Sequence, residues 1–158
     1  NATDFNMEYI EDFSTKHPKW NLRVYRTPAG LRIMVLHDVF QPNDPLVAEL
    51  FESVNSNPQY VWMCKRQECF RAKLSPKPWR VLPSGVEQKL DQGVWPIADT
   101  LIAERKAWVS QYDKAAEDFA SCRFERQIGS DTVHDKCEKL RIVHDKYCKA
   151  EDNSLHLA

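Results

Sequence analysis

Residues 21–37 read Asn-Leu-Arg-Val-Tyr-Arg-Thr-Pro-Ala-Gly-Leu-Arg-Ile-Met-Val-Leu-His, and they are the clearest local structure in the chain. Two runs rich in β-branched and aliphatic residues are joined by Pro28, Ala29 and Gly30. Proline suits the first corner of a type I turn, and glycine suits the left-handed position of the bulge that follows such a turn. The pattern therefore predicts a β-hairpin with a three-residue loop.

A three-residue loop also predicts the register of the two strands. Arg26 then faces Arg32, and Val24 faces Met34, so the arginines share a face with the apolar residues. Like charges in directly opposite positions are unfavourable, and a guanidinium beside a core is costly without an anion. We therefore expect an anion beside Arg26 and Arg32. It is either a carboxylate of the protein itself or a bound phosphate or carboxylate ligand.

Positive charge gathers in residues 64–80, CKRQECFRAKLSPKPWR, in which six residues are Lys or Arg and only Glu68 is acidic. Residues 69–75 alternate between apolar and polar side chains, which is typical of a half-buried strand. We predict that this strand joins the hairpin sheet and carries Arg71 and Lys73 on its outer face. Two prolines then force an extended exit from the strand.

That exit forms a corner with Lys77, Trp79 and Arg80. Arginine next to an exposed aromatic ring can hold a phosphate group or a base. The alternative is a solvated basic face that balances the acidic helices. The predicted ligand-binding residues are Arg26, Arg32, Lys77, Trp79 and Arg80, with Arg71 and Lys73 as a secondary basic face.

Capping residues and apolar spacing predict the helices. Asp44-Pro45 and Asn57-Pro58 each give an N-cap followed by proline at the first helical position. Ser84 and Glu87 form a capping-box pattern. The predicted helices cover residues 4–16, two segments beginning at the Asp44 and Asn57 caps, 84–92, 96–128 and 132–149, with Asp131 as the last cap; a strand at 122–128 is the alternative to the end of the fifth helix.

The expected fold is α+β: a small antiparallel sheet, made of the hairpin 21–37 and a strand at about 69–75, covered by helices and followed by a C-terminal helical hairpin. A length of 158 residues suits one domain. The first two residues, Asn1 and Ala2, are typical of the remnant of a cleaved tag, so we expect a domain excised from a longer chain.

Composition limits the partners. The net charge of −1 excludes a general attraction to nucleic acid or membranes, so such binding requires a local patch. No apolar run approaches the ~20 residues that a membrane span needs. The five cysteines suit free thiols in a reducing compartment. We expect a cytoplasmic protein, which includes the cytosolic domain of a larger, membrane-anchored chain.

Two pairs on the last helix could chelate zinc, because residues three or four apart share a helix face. These are His134 with Cys137, and His144 with Cys148. Each pair needs further ligands from elsewhere in the chain, so we interpret all four as core or boundary residues and expect no metal and no cofactor. Only four glycines occur, which argues against a glycine-rich phosphate loop.

Residues 25–32 (YRTPAGLR) and 69–80 (CFRAKLSPKPWR) together resemble an uncharacterised family of bacterial proteins, over roughly residues 20–150. The resemblance implies a bacterial, cytosol-facing domain and no particular activity. The hairpin is also similar to the palm of primase-polymerase-like proteins. Those proteins carry an acidic metal-binding motif before the hairpin, where this chain has residues 16–20, KHPKW.

Three functions follow from these features. The first is a non-enzymatic binding or regulatory domain whose arginine-rich rim recognises a phosphate- or carboxylate-bearing ligand or an acidic protein. The second is a nucleotide- or nucleic-acid-processing enzyme with a divergent palm-like core. The third is a protein–protein interaction module, in which a homodimer is one arrangement.

Overall fold

The structure is a computed structural model and describes residues 2–86 and 95–158. The predicted helix at 84–92 therefore lies mostly outside the described residues. The helices are α1 (Ala2–Lys16), α2 (Pro45–Ser53), α3 (Pro58–Gln67), α4 (Pro78–Val81), α5 (Asp99–Ala115) and α6 (Asp135–Cys148). The strands are β1 (Asn21–Thr27), β2 (Gly30–Val35), β3 (Phe119–Ala120), β4 (Arg123–Gly129) and β5 (His156–Leu157).

The sheet is antiparallel with the order β2-β1-β4, and β3 and β5 form a separate short parallel pair. The central strand β1 is buried on both faces. One face carries Leu22 and Val24 and packs on Phe13 of α1 and Leu50 of α2. The opposite face carries Tyr25 in a second cluster. The predicted α+β class with a small antiparallel sheet is confirmed.

The hairpin forms, but its predicted register is wrong by one residue. Thr27 pairs with Gly30, so the loop contains only Pro28 and Ala29, and Arg32 lies opposite Tyr25. The Thr27 hydroxyl donates to the Gly30 carbonyl at 3.1 Å and stabilises this tighter turn. Because side chains alternate between faces, the shift moves Arg32 to the face opposite Arg26.

The predicted strand at 69–75 is not formed, and the third strand of the sheet is β4. The free edge of β1 is taken by residues 123–129, the alternative strand of the sequence analysis. A bulge between Val24 and Tyr25 places Phe124 and Ile128 against the two different clusters. These two side chains are four residues apart in the sequence. This spacing is typical of a helix, although both residues belong to a strand.

The predicted C-terminal helical hairpin is therefore wrong as well. Helix α5 ends at Ala115, because the following residues turn into the strand that completes the sheet. Helix α6 is present but begins later than predicted. Its N-cap is His134, whose Nδ1 accepts from the Lys136 amide at 3.1 Å, instead of Asp131. Before the helix, the Thr132 carbonyl is bound by the Asn21 side chain at 2.9 Å, which keeps this segment extended.

The caps of α2 and α3 are confirmed. Asp44 Oδ1 accepts from the Leu46 amide at 2.9 Å, and Asn57 Oδ1 accepts from the Tyr60 amide at 3.1 Å. In both helices proline occupies the first turn.

None of the helices within residues 2–86 and 95–158 combines the length and the hydrophobicity that a transmembrane span needs.

Helix α6 buries mainly polar and sulfur-containing side chains. They are Cys137, His144, Asp145 and Cys148, whereas Leu140 is 59% exposed. The reason is the opposing sheet face, which presents polar groups, Arg23 and the Tyr25 hydroxyl, to this helix. A helix that meets polar groups buries the side chains that satisfy them.

Candidate functional site

The structure separates the two hairpin arginines of the predicted rim. Arg26 forms a two-pronged ion pair with Glu125 of β4, with distances of 3.0 Å from Nε and 2.7 Å from Nη2. The expected anion beside Arg26 is thus a carboxylate of the protein, supplied by the bulged strand. Arg32 points to the other face of the sheet, where it contacts α6 and the carbonyl of Lys73.

This pairing gives a pH-dependent prediction. The hydrogen bond from Arg26 lowers the pKa of Glu125 from its ordinary value of 4.5 despite partial burial. The pair therefore stabilises the fold above pH 4.5, and this contribution is lost as the pH falls through the lower folded pKa. We expect Glu125→Gln to cost less than ~1 kcal/mol at neutral pH and to reduce the acid-induced loss of stability.

Urea unfolding of both proteins at about pH 7 and about pH 3 measures this difference. Glu104→Gln, which removes an exposed carboxylate on α5, is the control and is expected to keep the acid dependence of the wild type. Identical acid dependence in Glu125→Gln and the wild type would contradict the assignment of Glu125 as the partner of Arg26.

Residues 71–80, which we term the basic segment, are held through their backbone. Arg32 Nη2 donates to the Lys73 carbonyl at 3.2 Å, and the Ser121 hydroxyl donates to the Leu74 carbonyl at 2.8 Å. The Tyr112 hydroxyl of α5 donates to the Pro76 carbonyl at 2.6 Å. Three side chains from three parts of the chain thus take the place of a neighbouring strand. The carbonyls of Lys73 and Leu74 belong to the predicted strand at 69–75, so part of that stretch is held without pairing in a sheet.

The charged side chains of the basic segment point to solvent. Lys73, Lys77 and Arg80 are exposed, and Trp79 is 54% exposed. The Lys77 ammonium lies 5.0 Å from the centre of the Trp79 ring. Burial and the nearby ammonium of Lys77 lower the pKa of Lys73. Within residues 2–86 and 95–158 no carboxylate lies in salt-bridge distance of these three cations.

The remaining residue of the predicted secondary face, Arg71, is exposed as well. Its Nε lies 3.3 Å from the sulfur of Cys69. The structure therefore places Lys77 near both Lys73 and Trp79, and Arg80 follows in the single turn of α4. It brings Arg32 beneath the basic segment as a tether and leaves Arg26 at the Glu125 pair.

Under this segment lies a buried polar network centred on Asp145. Its Oδ1 accepts from the Tyr25 hydroxyl at 2.6 Å and from His144 Nδ1 at 2.9 Å. Its Oδ2 accepts from Arg23 at 2.7 Å and from Arg141 at 3.1 Å. The four donors hold the carboxylate in its charged form, and they lower the pKa of Asp145 although burial alone would raise it.

Next to Asp145, the sulfur atoms of Cys122 and Cys148 lie beside His144 Nε2, all within 4.8 Å of one another. Arg32 Nη1 approaches Nε2 to 2.9 Å and each sulfur to 3.6 Å. Since arginine only donates, this contact requires an unprotonated Nε2, and Nδ1 then carries the proton that Asp145 accepts.

The hydrogen bond between the two thiols shifts their pKa values in opposite directions. The bond from Cys122, opposed by burial and reinforced by His144, lowers the pKa of Cys148 below the ordinary value of a thiol. The same bond, together with burial, raises the pKa of Cys122. Burial lowers the pKa of His144, but its bonds to Cys148 and Asp145 outweigh burial and raise it. Both cysteines are fully buried.

Sequence reasoning found His144 and Cys148 as a pair and missed their neighbours. The sequence does not predict that Cys122 lies near this pair, because it places Cys122 at the end of a long helix instead of at the entry of a strand. Asp145 follows His144 directly and carries no signal of its own in the sequence, since its partners Arg23 and Tyr25 lie at distant positions. No family model, no curated protein and no solved structure matches the chain.

Proposed function

We propose that this protein is a binding domain that recognises a phosphate-bearing anion through the basic segment. The observation that carries the proposal is the set of exposed cations, Lys73, Lys77 and Arg80, on a backbone tethered at three carbonyls without carboxylate partners among the described residues. A tethered backbone has less conformational entropy left to lose on binding, which favours affinity.

The charge arrangement supports an anionic ligand. Two ammonium groups close enough for one to lower the pKa of the other repel each other. A bound phosphate relieves this repulsion and gains charge-assisted hydrogen bonds from both. Arg80, in the single turn of α4, adds a planar guanidinium that can bind two phosphate oxygens at once.

Trp79 gives this site a flat apolar surface beside the cations. Its ring is half exposed and has Lys77 on one face. A base or another planar group of the ligand can stack on such a ring, as in proteins that bind single-stranded nucleic acid. A nucleotide or a short single strand is therefore the form of phosphate ligand that the site suits best.

In this proposal Arg26 is not a ligand residue, because Glu125 already satisfies it. Arg32 acts through the Lys73 carbonyl and positions the segment. The palm-like enzyme stays a prediction, and residues 16–20 before β1 contain no carboxylate. The resemblance to an uncharacterised bacterial family stays a prediction too.

A thermal-shift screen tests the ligand class. The probes are inorganic phosphate, pyrophosphate, ATP, citrate and a short single-stranded DNA. We expect ATP and the single strand to raise the melting temperature most, because they offer both phosphate and a base, and citrate to raise it least. No shift with any phosphate-bearing probe would refute the proposal.

The role of the tether gives a separate prediction. Tyr112→Phe removes the hydrogen bond to the Pro76 carbonyl and changes no charge. Loss of one hydrogen bond that orders the segment is expected to weaken ATP binding roughly three- to tenfold. Fluorescence titration measures the affinity, and Tyr147→Phe, at an exposed tyrosine of α6, is the control. Equal affinity of Tyr112→Phe and wild type would show that the tether does not order the binding segment.

A further inference from the structure

The cluster of Cys122, His144 and Cys148 has the composition and spacing of a metal site. His144 and Cys148 lie one turn apart on α6, and Cys122 enters from the residue before β4. All three side chains are held in the protein interior. Cys122 and Cys148 are fully buried, and His144 is 2% exposed. Thiolate sulfur and imidazole nitrogen are the ligands that zinc prefers.

The distances between the three ligand atoms are close to the distances between ligand atoms around a bound zinc ion. Cys122 Sγ lies 3.9 Å from His144 Nε2, and the three atoms all fall within 4.8 Å. In a tetrahedral site with Zn–S of ~2.3 Å and Zn–N of ~2.0 Å, ligand atoms are ~3.5–3.8 Å apart. Small side-chain rotations bring the three atoms into this range.

The histidine is already oriented as a ligand. Its Nδ1 donates to Asp145 at 2.9 Å, which leaves Nε2 with its lone pair on the side of the ring where Cys122 Sγ lies 3.9 Å away. Metal-bound histidines characteristically donate their second nitrogen to a carboxylate, which fixes the tautomer and makes the ligand nitrogen more basic. Asp145 is itself fixed by Tyr25 and Arg23.

The position between the three ligand atoms already attracts a cation. Arg32 Nη1 occupies it, 2.9 Å from Nε2 and 3.6 Å from each sulfur. Its second nitrogen reaches outward to the Lys73 carbonyl. A metal ion would take the place of Nη1, and Arg32 would have to withdraw toward that carbonyl.

From this geometry we propose that Cys122, His144 and Cys148 form a Zn²⁺ site, for which the guanidinium of Arg32 competes. Three protein ligands leave the fourth position of the tetrahedron to water or a small anion. Binding releases the protons that Cys122 and any protonated form of Cys148 or His144 carry, because only thiolates and neutral imidazole bind the metal. The metal site shares Arg32 with the anion site, because the same guanidinium donates to the Lys73 carbonyl, but the argument for the metal uses no property of the bound anion.

The test uses the 158-residue chain in a phosphine reductant, with Co²⁺ as the spectroscopic probe and Zn²⁺ measured by chelator competition. We expect one Co²⁺ per chain, with the strong visible bands of tetrahedral cobalt and the sulfur-to-metal charge-transfer band of thiolate ligation. Zn²⁺ is expected to displace Co²⁺ and abolish these bands. If a variant fails to fold, the wild-type spectrum alone tests the metal site. Absence of the charge-transfer band in that spectrum overturns the proposal.

Variants identify the ligands. Cys122→Ser and Cys148→Ser are expected to weaken Zn²⁺ binding ~100-fold or more, and the controls Cys64→Ser and Cys137→Ser, at buried thiols outside the cluster, leave it unchanged. Arg32→Met is expected to strengthen binding roughly tenfold, because it removes a competing positive charge. Zinc binding that survives Cys148→Ser, or that Arg32→Met weakens, would overturn the assignment.

Discussion

Replacing Asp145 with alanine is expected to lower the free energy of unfolding by roughly 3–5 kcal/mol, the cost of removing one partner from a buried ion pair. The carboxylate is only 8% exposed and accepts four hydrogen bonds. Its removal leaves Arg23, itself 6% exposed, with Glu151 as its remaining carboxylate, and deprives Tyr25 of its acceptor. The loss arises because the buried guanidinium of Arg23 then keeps only a partner that is 66% exposed.

Urea unfolding monitored by circular dichroism measures this change. The matched control is Glu138→Ala, which removes another carboxylate partner of Arg141. Glu138 binds Arg141 at 2.6 and 2.7 Å, but its side chain is 40% exposed, so its loss is expected to cost less than ~1 kcal/mol. Equal losses in the two variants would show that burial of the Asp145 network contributes nothing beyond a surface pair.

Gly129→Ala is expected to destabilise the protein by roughly 3 kcal/mol or more, because two effects act at one position. The residue has a φ of +91°, which an L side chain adopts only with strain. A Cβ there would overlap the backbone oxygen of Trp20. That oxygen accepts from the Ser130 amide at 2.8 Å, so it cannot retreat without breaking this hydrogen bond.

Gly85→Ala separates the two effects. Gly85 has nearly the same φ, +90°, but a Cβ at that position meets no atom of residues 2–86 and 95–158 within 4 Å. We expect it to cost about 1–2 kcal/mol, the strain of the backbone alone. Thermal and urea unfolding of both variants give the difference. A Gly129→Ala variant no less stable than Gly85→Ala would show that the close approach of Trp20 to β4 is not required.

The elements that the sequence predicts well are those whose causes are local. The caps of α2 and α3 depend on Asp44 and Asn57 and the proline after each, so they could be read directly. The α+β class follows from one hairpin and several amphipathic helices. The strand β4 depends instead on a distant edge of β1 and on a bulge, neither of which leaves a periodic pattern in residues 123–129.

The candidate site was predicted in part for the same reason. Lys77, Trp79 and Arg80 are neighbours in the sequence, so their clustering needed no knowledge of the fold. The separation of Arg26 from Arg32 depended on a single residue of turn length, which sequence patterns do not resolve. The tethers Ser121 and Tyr112 are ordinary polar residues in sequence, and only the folded chain shows which carbonyls they bind.

The most direct test of the proposed function is isothermal titration calorimetry with ATP on three proteins. These are the wild type, the variant Lys73→Ala/Lys77→Ala/Arg80→Ala, and a control that removes three exposed lysines of α6, Lys136→Ala/Lys139→Ala/Lys146→Ala. The control has the same net charge as the first variant and even loses a lysine next to an aromatic ring. We expect the basic-segment variant to bind ATP ~100-fold or more weakly, since each charged contact contributes about 1.5–3 kcal/mol. The control is expected to bind like the wild type; equal binding by all three proteins, or an equal loss in both variants, would contradict a specific anion site at residues 71–80.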